Sequence, residues 1–316
     1  MAQDDALYNL LRRRLGELSH RQDPAVMRLV AELRRRFGAD LAAVLLYGSY
    51  LRGKRDTLLD FYVLLHDGAG LPRWQALGNR LLPPNVYHLA LPAEDGGEAV
   101  RAKYAIMTLS QFQRAMGRFH SYFWSRFTQP AGLAMADDEQ TVERIVNALG
   151  RAVHAFVGAA VPALAEPFSS RELWCRGLAL TYTCELRSEP PAGAGALYEH
   201  NAGHFDDLLE AYAACPAAAV SRAADGHYAA RAADLITPAP AGSRLAWAVR
   251  RVQGKALSVL RLVKAAGTFE DPLDYLLWKI RRHSGVYIEP TERQRRYPLI
   301  FAWGLLWRLY RSGGFR

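Results

Sequence analysis

The chain reads as an α+β protein whose second half is mainly helical. Three observations carry that reading. Four apolar runs of strand length fall within the first 110 residues, with helical patterns around them. From about residue 137 the apolar residues recur instead with the 3.6-residue period of an amphipathic helix. At 316 residues, half of them hydrophobic and 22% charged, the chain has enough apolar material for a large core and two domains.

The elements follow in order. Residues 6–37 carry helical spacing, with Pro24 near one helix start and Gly38 as a stop. "LAAVLLYGS" (41–49) is a continuous apolar run that ends in a turn, as a buried strand does. "LLDFYVLLH" (58–66), "VYHLAL" (86–91) and "AKYAIMTLS" (102–110) are three more, the last turning into a helix at Ser110. The segment 137–162 has acids in its first turn, as a helix N-terminus favours. Pro162, Pro167 and "SSREL" mark a boundary, with Ser169 or Ser170 as N-cap of a helix holding Trp174 to Tyr182. Pro and Gly content makes 187–201 a loop and 237–244 a second break. The Ala-rich stretch 213–233 reads as helix or as a mobile connection. The expected division is 1–165, 166–290 and a basic, aromatic tail at 291–316.

The formal net charge is +9, which favours acidic partners. Between residues 279 and 316 nine Lys/Arg face two Glu, so most of the surplus sits near the end. There, "RQRRYPLIFAWGLLWRLYRSGGFR" sets an apolar run between Arg295/Arg296 and Arg308, with Trp303 and Trp307 inside it. That run is too short to cross a bilayer but suits an amphipathic helix lying among anionic headgroups; a terminal helix docked on the core is the plainer reading. Charge gathered with an apolar tail, not along a groove, argues against nucleic acid. Cys175, Cys184 and Cys215 have no metal-ligand spacing and are too few for a disulfide framework, which points to a reducing compartment. The start has no signal-peptide pattern, and heavy Ala and Arg usage suggests a GC-rich bacterial genome.

The chemistry is concentrated at "LLYGSYLRGKRDTLLDFYVLL" (45–65). Two adjacent strands in this order can bring Ser49 beside Asp60. Gly48 lets backbone N–H groups approach a phosphate, Ser49 adds a donor, and Asp60 can hold Mg²⁺. A solvated Asp beside an ordinary turn is the bland alternative. "HNAGH" sets His200 and His204 at a zinc-compatible spacing, though a helix start after a Gly-rich loop explains it as well. Trp74, Trp174, Trp247 and Trp278 read as core, and His88 and His120 as ordinary.

"YGS…LDFYV" resembles the nucleotidyltransferase superfamily, which implies a mixed sheet with flanking helices. That superfamily usually has a second carboxylate two residues after the first; here the position is Tyr62. Either the site is inactive, or another acid completes it, or the chain resembles a branch that needs only one. The third option fits a closer resemblance, to phosphatidate cytidylyltransferases of the mitochondrial translocator assembly and maintenance type. It runs in order through "LYGSYLRG", "LLDFYVLL", "PPNVYHLAL", "AKYAIMTLSQF", "HSYFWSRFTQPAGL", "YTCELRSE", "HFDDLLEAY" and "LRLVKAAGTFEDPLDYLLWKI", from residue 46 to 280. The resemblance implies CTP and phosphatidate as substrates, Mg²⁺ as cofactor, CDP-diacylglycerol and pyrophosphate as products, and a winged-helix-like second domain. It implies a catalytic set of Ser49, Asp60 and Lys103, with Asp60 on the metal. Gly48, Ser49, Arg126, Glu185, Arg187, Arg261 and Lys279 would bind substrate. Glu185 is either the missing second acid or the partner of Arg187. A peripheral position on the cytoplasmic face of a bacterial inner membrane follows, with contacts through Arg295, Arg296, Trp303, Trp307 and Arg308. A soluble phosphate or alcohol acceptor, and an inactive nucleotide- or lipid-binding relative, are the competing expectations.

Overall fold

The computed structural model describes residues 6–53, 58–92, 99–185, 193–231, 240–268 and 291–292. Two helices open the chain. The first, α1 (Ala6–Glu17), buries Leu7, Leu10, Leu11 and Leu15 on one stripe. The second, α2 (Pro24–Phe37), starts where Asp23 accepts from the Ala25 N–H and Pro24 takes the first turn, and it stops at Gly38.

A five-stranded sheet follows: β1 (Leu41–Tyr47), β2 (Leu59–Leu65), β3 (Asn85–Leu91), β4 (Val100–Thr108) and β5 (Ala131–Ala136). Its order is β3-β4-β2-β1-β5, with β2 and β4 parallel and the other neighbours antiparallel. β1 and β2 are apolar without alternation because both faces of the sheet are covered. On one face Val44, Leu46, Phe61, Val63 and Ile106 pack with Val26, Leu29 and Leu33 of α2. On the other, Leu45, Tyr62, Leu64, Ala105 and Met107 pack beneath α1, α4 (Leu109–Ala115) and α6 (Glu139–Ala160). Short α3 (Arg73–Leu81) and α5 (Trp124–Phe127) complete the first half.

α6 is the hub. Asp138 caps it through the Thr141 N–H at 2.6 Å, and its apolar stripe is fully buried. It is long and apolar enough to span a bilayer, but most of that window is buried inside the protein, as in a core helix. Phe156 stacks on Trp174 at 4.8 Å and meets Trp124 edge-on at 6.0 Å. Trp174 lies on α7 (Ser170–Tyr182), which Ser169 and Glu172 open with a capping box. Then come α8 (Gly193–His200), α9 (Ala202–Ala213), a hairpin of β6 (Val220–Arg222) and β7 (Tyr228–Ala230), and the long α10 (Pro240–Thr268). One hydrophobic cluster runs from the sheet through α6 into α7, α8 and α9. The expected boundary at 165/166 therefore falls in a connection, not between separate cores.

The α+β class and the first four strands agree with the sequence reading. Five details differ, one being that α10 begins at Pro240, inside the stretch 237–244 expected as a break. The helix after β4 begins at Leu109, not Ser110, because Thr108 and Gln111 form a capping box. β5 went unforeseen. α8 occupies the second half of the expected 187–201 loop, with Tyr198 donating to Asp206 at 2.7 Å. Residues 220–230 form a hairpin, where a helix or mobile connection was expected; its turn holds Gly226 at φ +84°. Trp174 and Trp247 are core as expected, whereas Trp74 is 56% exposed. Trp278 and the tail lie outside the described residues.

Since Phe156 joins the two halves of the core, Phe156→Ala should cost about 3–5 kcal/mol. Urea unfolding checks this: the midpoint should fall with little change in slope.

Candidate active site

Strand register sets the site. Tyr47 of β1 pairs with Asp60 of β2, and Asp60 pairs with Lys103 of β4, which faces His88 of β3. Alternation turns Asp60 toward the face that carries Tyr62 and Leu64. β1 ends at Gly48, where φ is +89°, a conformation that favours glycine. A methyl group on Gly48 would meet Asp60 Oδ2 at 2.8 Å. The glycine thus turns the chain and lets it lie against the carboxylate. Ser49 begins the 3-10 turn Ser49–Arg52 directly after it.

Asp60 has no hydrogen-bond or ion-pair partner among the described residues. Burial raises its pKa above the usual carboxylate value, while the charges of Lys103, Arg126 and Arg52 pull it back down. This is an under-satisfied acid among cations, an arrangement common at functional sites.

Arg126 is the deepest of those cations. Its guanidinium lies over the Tyr122 ring (4.8 Å) and the Tyr47 ring (5.5 Å), reaches the Tyr47 hydroxyl at 3.4 Å, and faces Glu185 at 4.0 Å. Burial opposes its charge, but Tyr122, Tyr62, Tyr47 and Glu185 outweigh that and raise its pKa. Tyr62, two residues beyond Asp60, is wholly buried and packs on Tyr47 (5.0 Å) and Phe127 (4.9 Å). Where the resemblance led one to expect a second carboxylate, this ring stands and acts electrostatically on Arg126.

α10 closes this side. A methyl group on Gly254 would sit 2.3 Å from the Cys184 carbonyl oxygen, so only glycine lets the helix approach so closely. That approach brings Arg261 over Tyr122 at 4.2 Å. Lys264 donates to the Leu82 carbonyl, the Pro84 carbonyl (2.8 Å) and Asn85 Oδ1 (3.0 Å), pinning α10 to the start of β3. Burial, then Arg261, lower its pKa to about 8.

Asp60, Lys103, Arg126, Glu185 and Arg261, scattered over two hundred residues, therefore meet in one electrostatic cluster. Glu185 faces Arg126; Arg187, its expected alternative partner, lies outside the described residues, as does Lys279. Tyr47, Tyr122, Arg52 and Lys264 were not foreseen. The one available signal was the i, i+4 spacing of Tyr122 and Arg126. His200 ends α8 and His204 lies on α9, where burial lowers its pKa to about 4 and its Nε2 meets the Thr128 carbonyl at 3.1 Å. They do not share a helix. Among the described residues no group of three His, Cys, Asp or Glu side chains is set to hold a metal.

A raised carboxylate pKa means that the folded state holds the Asp60 proton more tightly than the unfolded chain, whose value is about 3.9. Native stability should therefore decline as pH rises from about 4 through the folded-state value. Asp60→Asn should remove that slope and raise stability at pH 7 on the order of 1 kcal/mol, read from thermal melts across pH.

No known protein family model matches the chain, and no curated protein matches it.

Proposed function

We propose that this protein is a nucleotidyltransferase, and more narrowly a cytidylyltransferase that joins CTP to phosphatidate at a membrane surface, giving CDP-diacylglycerol and pyrophosphate. The observation that carries the reading is Asp60: a carboxylate without a hydrogen-bond partner among the described residues, pressed against the Gly48 turn and surrounded by Lys103, Arg126 and Arg52. Four cations, Arg52, Lys103, Arg126 and Arg261, stand against two carboxylates, Asp60 and Glu185. That surplus suits a reaction in which two polyanions must meet.

The roles follow from position. Gly48 and Ser49 offer backbone and hydroxyl donors to the triphosphate, as in other anion-binding turns. Lys103, beside Asp60 in the sheet, and Arg126 hold phosphate oxygens and oppose charge developing at the α-phosphorus. Asp60 suits Mg²⁺ by its hard oxygen donors and its lack of a competing partner; when bound, the ion neutralises phosphate charge. An oxygen of the acceptor phosphate forms the new bond to the α-phosphorus, and pyrophosphate leaves with the electron pair of the broken one. A phosphomonoester has its second pKa near roughly 6 and is already largely ionised at neutral pH, so no general base is needed. Tyr62 is then tolerable where a base would otherwise be.

In this reading the helices α7 to α9 with the β6–β7 hairpin take the place of the winged-helix-like unit that the resemblance implies. The tail with Arg295, Arg296, Trp303, Trp307 and Arg308 would provide the contact with an anionic bilayer, on the cytoplasmic face of a bacterial inner membrane. A second reading, an inactive nucleotide- or lipid-binding relative, is favoured by the burial of Tyr62 at the second-acid position.

Pyrophosphate release should be measured with each of the four ribonucleoside triphosphates and Mg²⁺, with and without phosphatidate vesicles. The expected result is release with CTP that requires the vesicles and falls at least about a hundredfold in Asp60→Ala. Binding of CTP without release under any acceptor would instead support the inactive relative.

A further inference from the structure

Beside the Asp60 row, on the far side of Tyr122, lies a cleft that the proposed reaction does not yet use. His120, Ser121, Tyr122, Glu185, Ser258 and Arg261 are among the residues that line it. Its empty volume is about 200 Å³, part of it open to solvent, with room at the floor for one water-sized group.

Three features of its wall point the same way. First, Arg261 has no acidic partner among its hydrogen bonds and ring contacts: its Nε donates to the Pro83 carbonyl at 3.4 Å, and its guanidinium rests on Tyr122. Second, two polar groups face the cleft unsatisfied. His120 is 7% exposed and its Nδ1 makes no hydrogen bond; Ser121 is 2% exposed and its Oγ has only the Cys184 thiol beside it. Buried polar atoms of this kind are rare unless a ligand or water completes them. Third, Glu185, the one acid on the cleft wall among the described residues, lies 4.0 Å from Arg126 and acts on Arg261 as well, so a single carboxylate is shared between two guanidiniums and positive charge is in excess there.

We propose that this cleft is a phosphate-group site. Arg261 supplies the charge, Ser121 Oγ–H and the His120 Nδ1–H tautomer donate to one inserted oxygen, and Tyr122 holds Arg261 in place. Tyr122 lies under both guanidiniums, with Arg126 at 4.8 Å and Arg261 at 4.2 Å, so the two phosphate positions share one aromatic support. The inference rests on the proposed transfer only for which substrate brings the phosphate, the acceptor or the nucleotide.

The test is calorimetric titration of the full chain at pH 7 and fixed ionic strength, with inorganic phosphate, glycerol 3-phosphate and CTP as separate arms. Wild type is compared with Ser121→Ala and Arg261→Met. Inorganic phosphate should bind wild type, and Arg261→Met should weaken it about tenfold or more, Ser121→Ala about three- to tenfold. Given that loss for inorganic phosphate, a parallel loss for glycerol 3-phosphate and not for CTP assigns the cleft to the acceptor, and one for CTP and not for glycerol 3-phosphate assigns it to the nucleotide; both support the site. A second readout is independent of either variant's folding. Desolvation, with Arg261 and Arg118, lowers the His120 pKa to about 4, and a bound phosphate should move it upward in an NMR titration of wild type. Unchanged phosphate affinity in both variants, with a stationary His120 signal, overturns the proposal. Absence of pyrophosphate release with these phosphate effects intact overturns the transfer reading alone.

Discussion

A guanidinium withdrawn from water must be satisfied where it lies, and the burial of Arg126 is the constraint on which the site depends. Charge in a low-dielectric interior is costly unless matched. Arg126 is matched from several directions: Tyr122 and Tyr47 offer ring faces, the Tyr47 hydroxyl an oxygen, and Glu185 a carboxylate. Each comes from a different element, β1, the segment before α5, and the end of α7. Satisfying one cation therefore ties the sheet to the helical half. Tyr62 belongs to the same arrangement: its buried ring packs on Tyr47, whose own ring carries the cation.

The legible parts of the fold were those written in local chemistry. β1 and β2 are continuous Val/Leu runs, Pro24 and Gly38 bracket a helix, and Ser169 with Glu172 spells a capping box. The misses have physical causes. β5 is Ala131, Gly132, Leu133, Ala134, Met135 and Ala136, with little intrinsic strand preference, and is held by pairing to β1. α8 follows a Pro/Gly segment but is stabilised by tertiary burial of Ala194 and Tyr198. The β6–β7 hairpin was signalled by Asp225-Gly226 between Val220 and Tyr228, and the surrounding alanines hid it.

The site was legible to a different degree. Ser49 and Asp60 could be associated because two adjacent strands in this order bring their ends together; the register pairs Tyr47 with Asp60 and sets Gly48 against its carboxylate. Lys103, Arg126, Glu185 and Arg261 came only from a family resemblance, since nothing local marks a partly buried charge. Their convergence on one cluster is independent of that resemblance. The aromatic supports could not be read at all: Tyr122 matters because two guanidiniums from distant elements reach its ring, a three-dimensional fact.

Asp60 gives the argument its direction. A fold selected for stability alone has little reason to hold a carboxylate largely out of water without a hydrogen-bond partner, or to bring Arg126 and Arg261 to one ring. The first raises a carboxyl pKa, and the second sets like charges near each other in a poorly screened environment. Both are costs, and both would be relieved by the same class of ligand. A polyanion with its counter-cation would coordinate the acid and neutralise the guanidiniums together. Strain of opposite signs, an acid left without a donor and bases in excess, is what the proposed metal-complexed phosphate would offset. A plain anion site needs only the bases, and a structural ion pair would have let Asp60 and a cation meet. Asp60 left without a hydrogen-bond partner among those cations is therefore the feature on which the proposed phosphoryl transfer rests.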